Sequence, residues 1–164
     1  PLQARGGEVP EYIARVLLEF AGATISFSTL AVLFISTGWL EPPEDILQVA
    51  GGWFMLAWFG AAIAIFLGAL SHESELVDKL WHPASYLLFP LSGAAFLVDA
   101  LPPIAQEYIL YLPMVHGVEF VREGYFGAAA RSHYDMGYMI PFCMVLTVLA
   151  LLQVHKLSRR VVPE

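Results

Sequence analysis

The sequence predicts an all-α, polytopic membrane protein with four transmembrane helices plus two short re-entrant helices, and three observations carry that expectation. Of 164 residues, 58% are hydrophobic and only 14% charged, with a mean hydropathy of +0.65. A soluble domain of this size does not need so much apolar surface. Four runs free of Asp, Glu, Lys and Arg are long enough to cross a bilayer. Between the third and fourth lies a stretch, 99–135, that fits neither a solvated loop nor a span.

Taken in order, residues 1–14 are polar, start without methionine or a signal peptide, and read as a cytoplasmic lead-in. The opening looks like a piece of a longer chain. The first span is placed at 15–40, uncharged from Phe20 onwards, with Arg15 and Glu19 as an i, i+4 pair at its entry. A carboxylate left unpaired in hydrocarbon costs roughly 3 kcal/mol or more, so Glu19 is expected to face protein or water while Arg15 snorkels. The second span, 46–71, is uncharged for 26 residues, enough to cross with some tilt. Its small residues Ala57, Gly60, Ala61, Ala64 and Gly68 form a flank suited to close helix packing.

Residues 71–79 mix acid with a little apolar surface and read as either a solvated turn or a docking point. The third span is placed at 80–98, with His82 near its start and Pro90 inside; the fourth is 136–154, containing Pro141. Each internal proline removes one helical hydrogen bond, freeing the carbonyls of Tyr86 and Gly137. Cys143, the single cysteine, falls in the fourth span, which excludes disulfides within one chain. A basic tail, 155–164, follows.

The stretch 99–135 is too apolar and aromatic for a solvated loop, yet Pro102, Pro103 and Pro113 break it. The longest proline-free helix before Pro113 is 104–112, which reaches only about 14 Å against a hydrocarbon core of roughly 30 Å. Irregular backbone at membrane depth survives only where protein or water satisfies it. Two short helices split near Pro113 are therefore expected, capping a pathway. In the second, His116, Glu119, Arg122 and Glu123 recur at i, i+3, i+6 and i+7, and Tyr125 and Phe126 close the segment. These six are the candidate gate residues. One reading makes His116, Glu119 and Arg122 a polar rim, with Arg122 pairing an acidic group in two-point fashion; the other is a local Glu119–Arg122 pair that only stabilises the cap.

Lysine and arginine set the orientation. With four crossings, Arg5, Arg15, Lys79, Lys156, Arg159 and Arg160 share one side, leaving Arg122 and Arg131 on the other. Both ends are thus expected in the cytoplasm and 99–135 outside. No metal site is expected: His82 lies near one surface and His116 and His133 near the other, and no histidine–carboxylate spacing resembles a zinc helix. There is no phosphate-binding glycine loop and no nucleophile motif, so the chain is not expected to be an enzyme or to hydrolyse ATP itself. The net charge of −7 gives no reason to expect nucleic acid.

Three blocks carry a resemblance. The first is Leu80-Trp81-His82-Pro83-Ala84-Ser85-Tyr86-Leu87-Leu88-Phe89-Pro90-Leu91-Ser92-Gly93. The second is Leu112-Pro113-Met114-Val115-His116-Gly117-Val118-Glu119-Phe120-Val121-Arg122-Glu123-Gly124-Tyr125-Phe126-Gly127, and the third His133-Tyr134-Asp135. With Arg5, Pro10, Ile13-Ala14-Arg15 and Leu17-Leu18-Glu19, they resemble the inner-membrane permease of Gram-negative capsule polysaccharide ABC exporters. The resemblance implies that these are spans three to six of a six-span permease and that an amphipathic helix and two spans are lacking. It implies export of a lipid-linked capsule polysaccharide from the inner membrane, with 99–135 as exterior gate helices. The implied partners are a second permease copy, periplasmic and outer-membrane polysaccharide export proteins, and a separate ATP-binding cassette ATPase. That ATPase would carry ATP and Mg, this chain no cofactor, and Arg5, Pro10, Glu11, His72, Glu73 and Glu75 would meet it on the inner face. An O-antigen or teichoic-acid exporter permease of the same architecture, or a non-transporting four-span scaffold, is the alternative.

Overall fold

A computed structural model of the protein describes residues 8–71 and 74–161. Among them every regular element is helical, in the order α1 (Glu8–Ser36), α2 (Ile46–Ser71), α3 (Glu75–Leu91), α4 (Pro103–Ile109), α5 (Pro113–Phe126) and α6 (Met136–Val161). Single 3-10 turns at Val98–Ala100 and Gly127–Ala129 precede α4 and follow α5. The chain divides into two units, Pro1–Pro42 and Pro43–Glu164.

The first unit is α1. It has no proline beyond its opening turn and carries its apolar residues all round, so it forms one long helix. It ends at Ser36 rather than running on to residue 40, because Gly38 takes a positive φ of 74° and turns the chain. Trp39 and Leu40 then donate their N–H groups back to the Phe34 carbonyl. Arg15 and Glu19 pair at 3.5 Å, both well exposed.

In the second unit, α2, α5 and α6 pack together around Val115, Met139, Cys143 and Ala150. Asp45 sets the start of α2: its Oδ1 accepts the N–H groups of Leu47 and Gln48 at 2.9 and 3.0 Å. Lower in the bundle the indole of Trp58 donates to Thr147 Oγ1 at 3.0 Å, joining α2 to α6. The close approach of α2 to α5 depends on glycine. A Cβ on Gly52 would stand 2.6 Å from Val121 Cγ2 and 3.1 Å from the Val121 backbone nitrogen; one on Gly124 would stand 2.9 Å from the Val49 nitrogen. The expected small-residue flank lies elsewhere on α2, where a Cβ on Gly60 or Gly68 would meet no atom of another element within 4 Å among the described residues.

Because a stiff β-branched side chain, with its own backbone close behind, stands in the way, Gly52→Val is expected to pry α2 from α5. The destabilisation should be about 1–3 kcal/mol, the usual penalty for overpacking. A lowered unfolding temperature in detergent, larger than that of Gly60→Val, is the measurement.

Among the described residues, three helices are long and apolar enough to cross a membrane: Ala14–Ser36, Ile46–Ser71 and Met136–Lys156. The third expected span needs correction in its bounds. Instead of 80–98, the helix runs Glu75–Leu91, 17 residues with Pro83 and Pro90 inside it. At about 25 Å it is shorter than a typical hydrocarbon core. It stops early because Pro90 lacks the N–H that would bond the Tyr86 carbonyl, and Gly93, at φ 83°, then turns the backbone away. Ser92 closes the end by donating its Oγ and its N–H to the Phe89 carbonyl. Residues 92–97 form a loop, and Val98, which opens the 3-10 turn after it, is fully buried.

Candidate functional site

The end of the bundle where α2 begins, α3 ends and α6 begins is organised by α5. Pro113 starts this helix, where its missing N–H is no loss, and Gly127 ends it at φ 54°. The two expected short helices are present, with the break between them just before Pro113. They differ sharply in anchorage. Helix α4 has no buried residue and leaves Tyr108 70% exposed, whereas α5 buries seven, from Pro113 to Gly124.

The sequence left His116, Glu119 and Arg122 as either a polar rim or a local pair; within this chain all three side chains are largely buried. His116 is 4% and Glu119 1% exposed, and the Arg122 side chain 12%. The i, i+3 spacing does bring Glu119 and Arg122 into a salt bridge, with Arg122 Nη1 donating to Glu119 Oε1. The pair reaches well beyond its own helix. Arg122 Nη2 donates to the carbonyls of Gly93 at 2.7 Å and Phe96 at 3.0 Å, holding the loop after α3. Glu119 Oε2 accepts the His133 N–H at 3.1 Å, holding the loop before α6. A buried ion pair is tolerable only when its remaining lone pairs and protons are satisfied, and these backbone groups do that.

His116 completes the arrangement. The Asp135 N–H donates to Nδ1 at 2.9 Å, so the proton sits on Nε2, which donates to the Leu110 carbonyl at 2.7 Å. One imidazole thereby fastens the α4–α5 turn to the start of α6. Its ring also lies 5.2 Å from that of Tyr138.

Glu123 belongs to a second cluster. Gln48 Nε2 donates to Glu123 Oε2 at 2.8 Å, and Tyr134 donates its hydroxyl to the same oxygen. That hydrogen bond, with burial and the nearby negative charge, raises the Tyr134 phenol above its ordinary value of 10.0. The neutral phenol is favoured by folding, so this contribution is complete below the ordinary value and is lost as pH rises through the raised one. Tyr125 packs its ring against Phe126 at 5.0 Å, with its hydroxyl buried, while Phe126 remains 47% exposed. The six expected gate residues thus divide: four hold the cap together, Tyr125 packs, and Phe126 faces outwards.

Beside Phe126 a cleft of about 430 Å³ opens between the 97–99 segment and the 126–131 segment, with Arg122 at its inner wall. Sequence reasoning missed this cleft and the residues Gln48, Tyr134 and Asp135. The capping pattern of Asp45 was the one legible signal that Gln48 sits at a helix start. Of the expected inner-face contacts, Arg5, His72 and Glu73 lie outside the described residues. Pro10, Glu11 and Glu75 fall within α1 and α3, but their side chains lie outside those described.

Fold and site together define an all-α membrane protein whose helical bundle is closed at one end by a short helix tied to three loops. Comparison with known proteins bears out the resemblance read from the sequence. The chain is similar to the capsule polysaccharide export inner-membrane protein CtrC of Neisseria meningitidis serogroup B, 36% identical over 152 residues. That match covers 93% of this chain and 57% of the relative. It is likewise similar to the capsule polysaccharide export inner-membrane protein BexB of Haemophilus influenzae, 34% identical over 150 residues, and to CtrC of N. meningitidis serogroup A, 35% over 151. Each of these two matches covers 92% of this chain and 57% of the relative. The chain thus spans little more than half the length of the relatives it matches. No family model matches it.

Proposed function

We propose that this chain forms part of the inner-membrane permease of an ATP-driven exporter that moves lipid-linked capsule polysaccharide. The observation that carries the reading is the similarity, over more than nine-tenths of the chain, to proteins named for capsule polysaccharide export in the inner membrane. In this reading α1, α2, α3 and α6 cross the membrane, both ends of the chain are cytoplasmic, and α4 and α5 cap the exterior side. ATP hydrolysis takes place in a separate ATPase subunit that meets the cytoplasmic ends. A second permease copy completes the pathway, and periplasmic and outer-membrane export proteins receive the polymer.

The mechanical part follows from anchorage. Helix α5 is tied to α2, to the loop after α3 and to the start of α6, so it moves only with the bundle. Helix α4 has few ties (among them Gln106 Nε2 to the Leu101 carbonyl at 2.9 Å) and is the element free to swing when polymer passes.

The direct test is deletion of the full-length gene in its own host. Surface capsule should disappear while lipid-linked polymer accumulates inside, and the gene in trans should restore it. Capsule persisting at normal level would overturn the reading. Topology is tested separately by single-cysteine labelling of the full-length protein in a Cys143→Ser background. A cysteine at Ser158 should be reached only from the cytoplasm and one at Arg131 only from outside; the reverse would refute the four-span arrangement.

A further inference from the structure

The cleft beside α5 has a charge arrangement that the network around Glu119 does not use. Asp99 and Arg131 both line it and both are exposed. Among the described residues neither side chain makes a hydrogen bond or ion pair, with the other or with anything else. Arg122, on the inner wall, is already matched by Glu119 and two carbonyls. What remains is one positive and one negative group held apart across a cleft whose other walls, Leu97, Phe126, Ala129 and Ala130, are apolar.

That combination selects among ligands. A simple anion would be drawn by Arg131 and repelled by Asp99. A neutral sugar would pair with neither charge. A small zwitterion satisfies both: a phosphate takes two parallel hydrogen bonds from a guanidinium, and an ammonium pairs with a carboxylate. The position agrees. The cleft lies at the end where the apolar helices α2 and α6 begin, and Leu97 and Phe126, 53% and 47% exposed, offer apolar surface beside the charges. We propose that this cleft binds the zwitterionic headgroup of a membrane phospholipid, its phosphate on Arg131 and its ammonium on Asp99, with the adjoining chain against Leu97 and Phe126. The inference needs only that the chain spans a membrane, not that it exports polysaccharide.

The experiment uses the full-length protein in nanodiscs of equal phosphatidylethanolamine and phosphatidylglycerol, with a photo-crosslinking residue at Ala129 and mass spectrometry of the captured lipid. Phosphatidylethanolamine should be enriched in the wild type by about two- to fivefold, the scale of one exposed ion pair. Asp99→Asn should shift capture towards phosphatidylglycerol, and Arg131→Gln should reduce capture of both. The double exchange Asp99→Arg with Arg131→Asp keeps the charges and should restore the phosphatidylethanolamine preference, which guards against a single variant that folds poorly. Equal capture of the two lipids by the wild type would overturn the proposal. So would an unchanged lipid ratio in Asp99→Asn, undiminished total capture in Arg131→Gln, or polysaccharide as the main adduct in protein taken from capsule-producing cells.

Discussion

Arg122→Ala in the full-length protein is expected to lower its abundance in the membrane, not merely its output. The substitution leaves the Glu119 carboxylate, 1% exposed, without its counter-ion, and frees the carbonyls of Gly93 and Phe96. Breaking a buried pair by removing one partner costs about 3–5 kcal/mol. That is a large share of the total stability of a domain this size. Unfolding in detergent, and the amount of protein surviving in membranes, are the measurements. Arg122→Met with Glu119→Gln should recover part of the loss by removing the uncompensated charge. Recovery should be incomplete, because the loop after α3 loses its fastener in either case. Normal abundance with reduced capsule would instead place Arg122 in contact with the polymer.

His116→Leu should have the next largest effect. It strips a donor from the Leu110 carbonyl and an acceptor from the Asp135 N–H in one step. Leaving a buried polar group unpaired costs about 1–3 kcal/mol, so the pair should amount to roughly 2–6 kcal/mol. The consequence is local as well as global, because the α4–α5 connection loses a tie. Limited chymotrypsin digestion should cut faster at Tyr108 and Tyr111, both exposed. The two roles separate by substitution. Asparagine can present an acceptor where Nδ1 stood, and glutamine a donor where Nε2 stood. His116→Asn should therefore keep the start of α6 better ordered, and His116→Gln the α4–α5 turn. Identical digestion rates for wild type and His116→Leu would show that Tyr138, which donates its hydroxyl to the Tyr111 carbonyl, suffices alone.

How far the sequence could be read depended on the range of the interaction. The helix at 46–71 and the start of the helix at Met136 were legible, since an uncharged run flanked by polar residues determines a helix with little help from the rest of the chain. The split at Pro113 was legible for the same reason: proline acts on its own backbone. Span three misled because absence of charge was used as the ruler. The helix admitted Asp78 and Lys79 at its start and yielded at Pro90, while the apolar residues 94–97 went into a loop over α5.

The candidate site divides along the same line. Helical spacing put His116, Glu119, Arg122 and Glu123 together, which is a property of 3.6 residues per turn and needs no tertiary structure. Which way that face points is another matter. Polar residues on a short helix at a membrane surface ordinarily face water, and the sequence offers no sign that backbone groups from Gly93, Phe96, Leu110, His133 and Asp135 would converge on them. Those partners are between six and 29 residues distant, brought in by the turns after α3, between α4 and α5, and before α6. Composition and period alone determined that this is a helical membrane protein with a broken cap. Only the packing of α5 against α2, close enough to require Gly52 and Gly124, decided that the polar face turns inwards, because charges so placed are stable only when every hydrogen bond they lose to water is replaced.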